Sequence, residues 1–600
     1  MDQLKPRTYA EADALLQAPG SIYEIEQLVI EGRKVKVWTK APKSMREWMV
    51  EGLSRWADNE FVSEPLPEPA PASQRQSRTY GQVLDDAVTF ASWLREGGIA
   101  MGDRVAIGGR NSSRFISAYV GTCLIGAVPV LLNTTLTDDN QVHCLTITLP
   151  KLVIGDVPMA KALASIAPTL ASMGVTKLYC WDSIGHLDSG IRSVVSEYAP
   201  SPSSQTVATV RSGAGLDNQD PDSDAIILFT SGTTSKPKAV LLTHRMWCQQ
   251  IYTASYTSAR YAMRMGAPLE MALAMHIPEA KTCMLHAVPL FHVTGGGMLT
   301  RAIVVGQRLV FLRKWDVDTA TALIRSEKVN NLMGVPALAA GLLASPRLTD
   351  ELKLETVSFG GAPAPSNLAH RVQKQWNQAL VVHLYGATEA AGLFTALVGA
   401  DYIGNPTSAG LPTPILDMRV ADPVTHKTLG PNEVGVIMFK GGSIMKEYLN
   451  NPKATAEAVD AEGWYNTGDV GYIDDGHGLL HITDREKDLI IRGGENIPSA
   501  EVENAAHRDE RVLECAAIPV PCPVMTEQVG LAIRLVDGAQ ATPENLKAAM
   551  DPLLRPQARP VIIHVWDGPL PRNINGKILK NEIKNVVAEK WESKQDRGKL

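Results

Sequence analysis

Nine residues of the chain, from Thr230 to Lys238, have the composition of a loop that binds phosphate groups. They read Thr-Ser-Gly-Thr-Thr-Ser-Lys-Pro-Lys and directly follow an apolar run, Ala225 to Phe229, which predicts a buried strand. Hydroxyl and amide donors, together with lysine charge, suit the oxygens of a polyphosphate. The spacing is not that of the Gly-x-x-x-x-Gly-Lys-Ser/Thr loop, so we expect a phosphate site of a different design.

The segments around this loop predict the elements that position it. Val105–Ile107, Val128–Leu132 and Leu152–Ile154 are strand candidates separated by helical stretches. This alternation indicates α/β layers with largely parallel strands. A second α/β run from about residue 225 to 393 carries most of the chemically interesting residues. Residues 199–224, rich in Ser, Pro, Gly and Asp, predict a surface loop.

Both ends of the chain also carry local signals. Near the amino terminus, apolar residues recur at helical spacing and predict a packed amphipathic helix, with Met45, Trp48, Met49, Leu53 and Trp56 on one face. Residues 405–485 are dense in short β signals and turns, and the last 110 or so residues predict a small α+β unit. Within that unit, Thr542-Pro543-Glu544 predicts the start of a helix.

Size and composition limit the function. A chain of 600 residues is expected to form three or more domain-sized pieces. With 58 Lys+Arg, 64 Asp+Glu and a net charge of −6, it lacks the basic bias of a general nucleic-acid-binding protein. No apolar run reaches the roughly 20 residues of a membrane-spanning helix, and we expect no secretory signal. The 7 cysteines form no Cys-x-x-Cys pair, which is typical of reduced thiols in an intracellular protein.

The phosphate loop and the motifs that follow it resemble those of the adenylate-forming superfamily, in its acyl-CoA synthetase branch. The matching motifs, in the order of the family, are Pro289-Leu-Phe-His292, Gly360-Gly-Ala-Pro363, Tyr385-Gly-Ala-Thr-Glu389, Trp464-Tyr-Asn-Thr-Gly-Asp469, Asp484-Arg-Glu-Lys-Asp488 and Leu570-Pro-Arg-Asn-Ile-Asn-Gly-Lys577. The loop departs from the family at Ser235 and Ala239, where Gly is usual. The resemblance covers roughly residues 77–580.

The resemblance implies a site for ATP and AMP. The ring of Tyr385 would stack on adenine, Asp469 would bind the ribose hydroxyls, and Arg485 would contact ribose or phosphate. Thr388 would touch the α-phosphate, and Glu389 would hold Mg²⁺, a hard cation that prefers carboxylate oxygen. The other implied nucleotide-binding positions are Thr230, Ser231, Gly232, Thr233, Thr234, Lys238, Gly361 and Ala362.

The resemblance also assigns residues to the second substrate and to the small domain. His292 and Gly360 would border the acyl pocket, and Lys577 would be the catalytic lysine that bridges the substrate carboxylate and the α-phosphate. Lys487 would be the hinge between the domains. Gly493 and Gly494 would line the CoA channel.

The implied fold is α/β. It has a large N-terminal domain of two α/β subdomains plus a small β-barrel-like part, followed by a small mobile α+β C-terminal domain. The expected division is 1–76 for an extension and Pro-rich connector, 77–486 for the AMP-binding domain, and 487–600 for the mobile domain. The implied function is ATP-dependent activation of a carboxylic acid, of the fatty or a related acyl type, followed by thioester formation with CoA.

Three alternatives stay open. The acyl group could pass to a carrier protein instead of CoA, or the chain could be a catalytically silent nucleotide-binding homologue. A luciferase-like oxygenase shares every motif. The final Gly598-Lys599-Leu600 differs by one residue from the peroxisomal address Ser-Lys-Leu, so the sequence favours the cytoplasm over the peroxisome.

Overall fold

The computed structural model describes residues 6–30, 32–68, 70–216, 219–230, 236–277, 282–348, 352–486, 488–493, 495–572 and 576–597. Its amino-terminal elements are α1 (Tyr9–Leu16), β1 (Ile25–Ile30), β2 (Arg33–Trp38), α2 (Met45–Arg55), β3 (Glu60–Pro65) and β4 (Arg75–Thr79). The predicted amphipathic helix is α2, in which Met45, Trp48, Met49 and Leu53 are buried. The hairpin of β1 and β2 was not predicted.

The first large sheet contains the three predicted strands. Its elements are α3 (Tyr80–Glu96), β5 (Arg104–Gly108), α4 (Ser113–Leu124), β6 (Val128–Leu132), α5 (Asp138–Thr148), β7 (Leu152–Gly155), α6 (Val157–Ser172), β8 (Leu178–Cys180), α7 (Ser189–Val194), β9 (Ser196–Glu197), α8 (Ser204–Ser212), β10 (Asp224–Thr230) and β11 (Lys238–Thr243). The strand order is β11-β10-β6-β5-β7-β8-β9. β6, β5, β7 and β8 pair in parallel, as expected, whereas β11 is antiparallel to β10.

One prediction in this region is wrong. Residues 199–224 contain a helix, α8, where the sequence predicted only a surface loop. Ser203 caps the helix by accepting a hydrogen bond from the Thr206 amide at 3.2 Å, and Val210 is buried. Serine at a helix start is a capping signal, and it outweighs the turn-like composition here.

The second large sheet follows. Its elements are α9 (His244–Arg264), α10 (Leu269–Ala274), β12 (Cys283–His286), α11 (Val293–Val305), β13 (Arg308–Phe311), α12 (Val317–Ser326), β14 (Asn331–Gly334), α13 (Pro336–Leu343), β15 (Thr356–Gly360), α14 (Leu368–Gln375), β16 (Leu380–Ala387), β17 (Gly392–Val398), α15 (Gly399–Gly404) and β18 (Leu411–Pro412). The order is β18-β17-β16-β15-β14-β12-β13-β3-β4. Strands from β3 to β16 are parallel, so their carboxyl ends meet at one edge.

A smaller antiparallel unit completes the large domain. Its elements are β19 (Leu416–Ala421), β20 (Gly435–Gly441), β21 (Glu447–Tyr448), α16 (Pro452–Ala458), β22 (Tyr465–Ile473) and β23 (Leu480–Arg485). Strands β19, β20, β22 and β23 are neighbours in that order, whereas β21 joins the first large sheet beside β11. The predicted β-rich character of residues 405–485 is confirmed, and β21 connects this unit with the phosphate-loop strands.

The small domain is α+β, as predicted. Its elements are β24 (Ile490–Arg492), β25 (Glu495–Ile497), α17 (Ser499–Ala506), β26 (Val512–Cys522), β27 (Thr526–Leu535), α18 (Pro543–Met550), β28 (Ile562–Val565) and α19 (Lys580–Arg597). Thr542 caps α18, as its sequence predicted. The domain has its own buried cluster, which includes Ile490, Val529 and Leu531. No helix in the described parts of the chain combines the length and apolar character needed to cross a membrane.

Candidate active site

A cavity of about 2320 Å³ brings most of the predicted site residues together. Those that line it are Thr230, Lys238, His292, Gly360, Gly361, Ala362, Tyr385, Thr388, Glu389, Asp469, Arg485 and Lys577. Gly493 is described but does not line the cavity. Ser231, Gly232, Thr233, Thr234, Lys487, Gly494 and the terminal Gly598-Lys599-Leu600 lie outside the described residues.

The phosphate loop joins two antiparallel strands. Thr230, the last residue of β10, is the Cα partner of Lys238, the first residue of β11. The Lys238 Nζ lies 4.0 Å from the centre of the Tyr448 ring, a cation–π contact. The strands therefore hold the two ends of the loop together and place one cation at the cavity wall.

Glu389 lies beside this cation. It occupies a short 3₁₀ turn, Thr388–Ala390, after β16, and it is buried. The Tyr448 hydroxyl donates a 2.6 Å hydrogen bond to Glu389 Oε1, and the Met445 amide donates to the main-chain oxygen of Glu389. Burial and the Glu389 charge raise the pKa of Tyr448 well above its usual value, so its hydroxyl stays protonated and remains a donor.

Tyr385, Asp469 and Arg485 form a connected group. The Tyr385 hydroxyl donates a 2.6 Å hydrogen bond to Asp469 Oδ2, and Arg485 Nε lies 3.3 Å from Asp469 Oδ1. Burial and the Asp469 charge raise the pKa of Tyr385. The register of β22 and β23 pairs Asp469 with Arg485. The carboxylate retains lone pairs for further donors such as ribose hydroxyls.

Lys577 reaches this group from the small domain. Burial lowers its pKa to about 8, and repulsion by Arg485 adds to the shift, whereas Asp469 and Asp488 partly oppose it. Two contacts support its approach. Asn367 Nδ2 donates to the His507 carbonyl oxygen at 2.9 Å, and the Ser499 hydroxyl donates to Asp484 Oδ2 at 2.6 Å. The small domain is thus docked with its lysine facing the large domain.

The donor set can hold one divalent cation together with a bound anion. Within the described ranges, no group of three His, Cys, Asp or Glu side chains could hold a metal by itself. Glu389 uses Oε1 for Tyr448, and a carboxylate offers about four lone-pair positions. Mg²⁺ typically takes one or two carboxylates and completes its shell with phosphate oxygens and water. Glu389 fits that role beside the phosphate loop.

Comparison with known proteins shows to which family the chain belongs. Residues 55–449 match the family model described as "AMP-binding enzyme". The chain belongs to the AMP-binding enzyme family. A feruloyl-CoA synthase from Amycolatopsis sp is 31% identical over 513 residues, covering 84% of this chain and 93% of that protein. The predicted membership of the adenylate-forming acyl-CoA ligases is therefore confirmed.

Two further similarities agree with this assignment. A long-chain-fatty-acid–CoA ligase from Bacillus subtilis is 28% identical over 538 residues, covering 84% of this AMP-binding enzyme and 89% of the relative. The crystal structure of ATP-bound MatB from Rhodopseudomonas palustris superposes with a TM-score of 0.73 at 26% identity. It covers 90% of this chain and 99% of that one, which confirms the predicted large and small domains.

In this AMP-binding enzyme, the two residues predicted to border the acyl pocket lie at the carboxyl edge of the second sheet. His292 caps α11, its Nδ1 accepts from the Thr294 amide at 3.3 Å, and burial lowers its pKa to about 4. A Cβ on Gly360 would lie 2.4 Å from the Leu384 carbonyl oxygen. Only glycine permits this close approach of β15 to β16, which forms the edge of the cavity.

Sequence reasoning missed several polar residues at this site. Tyr448 lies on the two-residue strand β21, 59 positions from its partner Glu389. Gln250 and Arg301 line the cavity from α9 and α11, where polar residues among apolar neighbours carried no motif. The only available signal was helical periodicity, which would have placed each side chain on the same face of its helix as the other cavity-lining residues.

Proposed function

We propose that the protein activates a carboxylic acid with ATP to form an acyl-AMP, and then transfers the acyl group to the thiol of CoA. The observation that carries this proposal is the position of Lys577. This half-buried lysine of the small domain lines the same cavity as Tyr385, Glu389 and Asp469 of the large domain. Joining a carboxylate to a phosphate brings two anions together, so a cation between the nucleotide site and the acid pocket would lower their repulsion.

In the first step, an oxygen of the substrate carboxylate attacks the α-phosphorus of ATP. An acyl–phosphate bond forms, and pyrophosphate leaves with the pair of electrons of the broken P–O bond. Most of the barrier is repulsion between anions, so catalysis is alignment and charge neutralisation. We assign neutralisation at the reacting oxygens to Lys577 and at the phosphates to Lys238. A Mg²⁺ ion held by Glu389 would supply further positive charge.

We propose the remaining nucleotide contacts from the resemblance to the family, and the geometry of Asp469 supports one of them. Tyr385 would offer its ring to adenine, and Asp469 would accept the ribose hydroxyls on lone pairs that Tyr385 and Arg485 leave open. Thr388 would contact the α-phosphate, while Gly361 and Ala362 would lie along the nucleotide. The loop residues Ser231, Gly232, Thr233 and Thr234 remain assigned to phosphate binding by the sequence.

In the second step, the thiol of CoA attacks the acyl carbon and AMP leaves. We propose that the small domain rotates about Lys487, which withdraws Lys577 and brings Gly493 and Gly494 to the cavity. The position of Gly493 supports this. Its amide donates to the Met525 carbonyl oxygen at 2.8 Å, away from the cavity lining. We therefore assign this docked arrangement to the adenylation step.

The test is pyrophosphate exchange into ATP with a panel of carboxylic acids, followed by thioester formation with CoA. We expect exchange that depends on added acid and, with CoA, a thioester product. No exchange with any acid would favour the silent nucleotide-binding homologue. Exchange without a CoA thioester, but with transfer to a carrier protein, would favour the carrier-loading ligase. Light or oxygen consumption from a bound adenylate would favour the oxygenase.

The acid we propose is fatty or a related acyl acid. A long-chain-fatty-acid–CoA ligase and a feruloyl-CoA synthase are both similar to this chain, so the panel should span straight-chain and aromatic acids. The boundaries 1–76, 77–486 and 487–600 and the cytoplasmic location also remain proposals. Limited proteolysis of the intact protein, with and without acid and ATP, would test the boundary at residue 487.

A further inference from the structure

The cavity continues from the reaction centre into a deep acyl chamber. Helix α9 lines it with residues four and three positions apart, namely Gln250, Ala254 and Thr257. Helix α11 lines it with Gly297, Arg301 and Val305, which are each four positions apart. Residues at this spacing share one helix face, so each helix presents a continuous stripe to the chamber. The sheet forms the opposite wall with alternating residues of β14, β15 and β16.

Two independent measures give the same depth. Arg301 is nine residues beyond His292, which is about 13 Å along a helix. On the opposite wall, Thr356 is four residues before Gly360, which is about 13 Å along a strand. Helix α11 connects the parallel strands β12 and β13 and therefore runs back against the strand direction. Arg301 thus lies at the end of the chamber that is distant from the reacting carboxyl.

That distant end is polar. Gln307 and Asn331 line it, and Gln307 Oε1 and Asn331 Oδ1 are both buried without a hydrogen-bond partner among the residues that the structure describes. Gln307 Nε2 donates to the Thr282 hydroxyl at 3.1 Å, which fixes the orientation of that amide. Buried polar atoms without partners are costly, and native sites that keep them usually provide them for a ligand or for water. Both atoms are acceptors and need a hydrogen-bond donor, such as a water molecule held beside a substrate oxygen, and the terminal methyl of a simple fatty acid holds no such water.

Arg301 supplies the charge at this end. Its Nη1 donates to the His276 carbonyl at 3.0 Å and its Nη2 to the Met275 carbonyl at 3.2 Å. A guanidinium has five N–H donors, so donors remain after these two bonds. Within the described ranges, no carboxylate forms an ion pair with Arg301. Burial lowers its pKa to about 10, which leaves it cationic at neutral pH.

A second donor lies closer to the reaction centre. Gln250 Nε2 is buried and has no hydrogen-bond partner in the described part of the chain, although the side chain lines the cavity. A Cβ on Gly297 would lie 2.6 Å from Gln250 Oε1, so the absence of a side chain at Gly297 makes room for this amide. The chamber therefore offers hydrogen-bond donors part-way along its length and at its end.

We propose that the acid activated by this protein carries a second acceptor oxygen, a carboxylate or a carbonyl, at the end remote from the reacting carboxyl, and that Arg301 binds that oxygen. The inference rests on the proposed function and specifies the substrate class of the same site. Guanidinium donors match carboxylate and carbonyl oxygens, and the neutral acceptors of Gln307 and Asn331 suit a hydroxyl or water beside them. Arg301 is then a specificity-determining residue.

The experiment compares three matched series of straight-chain acids of increasing length: unsubstituted acids, acids with a terminal ketone, and dicarboxylic acids. Pyrophosphate exchange gives kcat/KM for each with the wild-type protein. We expect one oxygenated series to exceed the unsubstituted acid of equal length by on the order of 10- to 100-fold, as hydrogen bonds to a charged group imply. A preference for the ketone series would assign the acceptor oxygen to a carbonyl, and a preference for the dicarboxylic series would assign it to a carboxylate.

Variants then assign the preference to Arg301. Arg301→Met keeps the length of the side chain but removes the donors, so the preference should fall to near unity while the KM for ATP stays unchanged. Arg301→Lys should retain part of the preference for dicarboxylates. The control is Arg104→Met, because Arg104 also donates to a main-chain carbonyl, that of Thr148 at 3.0 Å, but lies outside the cavity.

The outcomes separate this inference from the proposed function. No exchange with any acid would contradict the proposed function itself. Exchange in which unsubstituted acids are preferred at every length would overturn only the role of Arg301, and so would a preference that survives in Arg301→Met. If Arg301→Met fails to fold, the wild-type comparison still decides the substrate class. In that case Gln307→Leu, which removes the acceptor next to Arg301, is tested in place of Arg301→Met.

Discussion

The Tyr448 hydroxyl donates a 2.6 Å hydrogen bond to Oε1 of Glu389, and the ring of the same tyrosine supports the Lys238 ammonium at 4.0 Å. One side chain thus contacts both a carboxylate suited to a cation and a lysine of the phosphate loop. Because β21 pairs with β11, strand register fixes this three-residue arrangement. We therefore expect Tyr448 to act as a positioning residue between the carboxylate proposed to hold Mg²⁺ and the lysine proposed to bind phosphate.

Tyr448→Phe should weaken the response to Mg²⁺ more than it weakens ATP binding. Loss of the hydroxyl frees Glu389 Oε1 to rotate, while the ring still supports Lys238. We expect the Mg²⁺ concentration for half-maximal exchange to rise several-fold, in line with the net value of one hydrogen bond, about 0.5–1.5 kcal/mol. Tyr119→Phe is the matched control, since the buried Tyr119 hydroxyl has no hydrogen-bond partner within the described ranges and lies away from the cavity. An equal rise in both variants would argue against the positioning role.

Lys577→Ala should separate the two half-reactions. Formation of acyl-AMP from ATP is expected to fall by on the order of 10²- to 10³-fold, the usual effect of removing one electrostatic group. Thioester formation from supplied acyl-AMP should change little, because the lysine is withdrawn in that step. Single-turnover assays of each half-reaction measure the difference. Lys590→Ala, which changes an exposed lysine of α19, is the control. Equal losses in both half-reactions would contradict the assignment.

The adenylation rate should decline at alkaline pH. Burial and Arg485 lower the pKa of Lys577 to about 8, so the lysine is cationic below that pH and loses its charge as the pH rises through it. We expect kcat/KM for exchange, which reports on the free enzyme, to fall above about pH 8. In Lys577→Arg this alkaline decline should vanish, because arginine does not titrate in this range. An unchanged decline would assign it to another group.

Gly360→Ala should damage the acyl pocket and the sheet together. The new Cβ would lie 2.4 Å from the Leu384 carbonyl oxygen, so β15 and β16 must separate. We expect a loss of about 1–3 kcal/mol in the free energy of unfolding, as for other overpacked sites, and a raised KM for the acid. Gly404→Ala is the control, because a Cβ there meets no atom within 4 Å. Chemical denaturation and exchange kinetics measure the two effects.

The sequence predicted the residues that follow strands. Thr230, Gly360 and Glu389 each end or follow a strand whose apolar pattern is visible in the sequence. Gly360 and Glu389 lie close because β15 and β16 are parallel neighbours in the second sheet, whereas Thr230 reaches the cavity from β10 of the first sheet. Asp469 was also predicted, and the pairing of β22 with β23 brings it to Arg485. Local patterns therefore suffice where the chemistry lies at strand ends.

The contacts that the sequence did not predict depend on distant packing. The bond from Tyr448 to Glu389 spans 59 positions and requires the small antiparallel unit to add a strand to the first sheet. The polar end of the acyl chamber combines Arg301 of α11 with Asn331 of β14, which no spacing relates. Helix α8 was missed because turn-forming residues also serve as helix caps.

The length of the acyl chamber has an evolutionary consequence. In the function that we propose, chemistry at the carboxyl edge of the sheet and substrate recognition about 13 Å away at the other edge use separate side chains. Exchanges on the inner faces of α9 and α11 can therefore alter which acid is accepted while the adenylating machinery is inherited unchanged. Proteins with this fold can therefore change their substrate specificity by single substitutions on these helices. Each substitution must leave enough of the free energy of unfolding, which is roughly 5–15 kcal/mol in folded proteins.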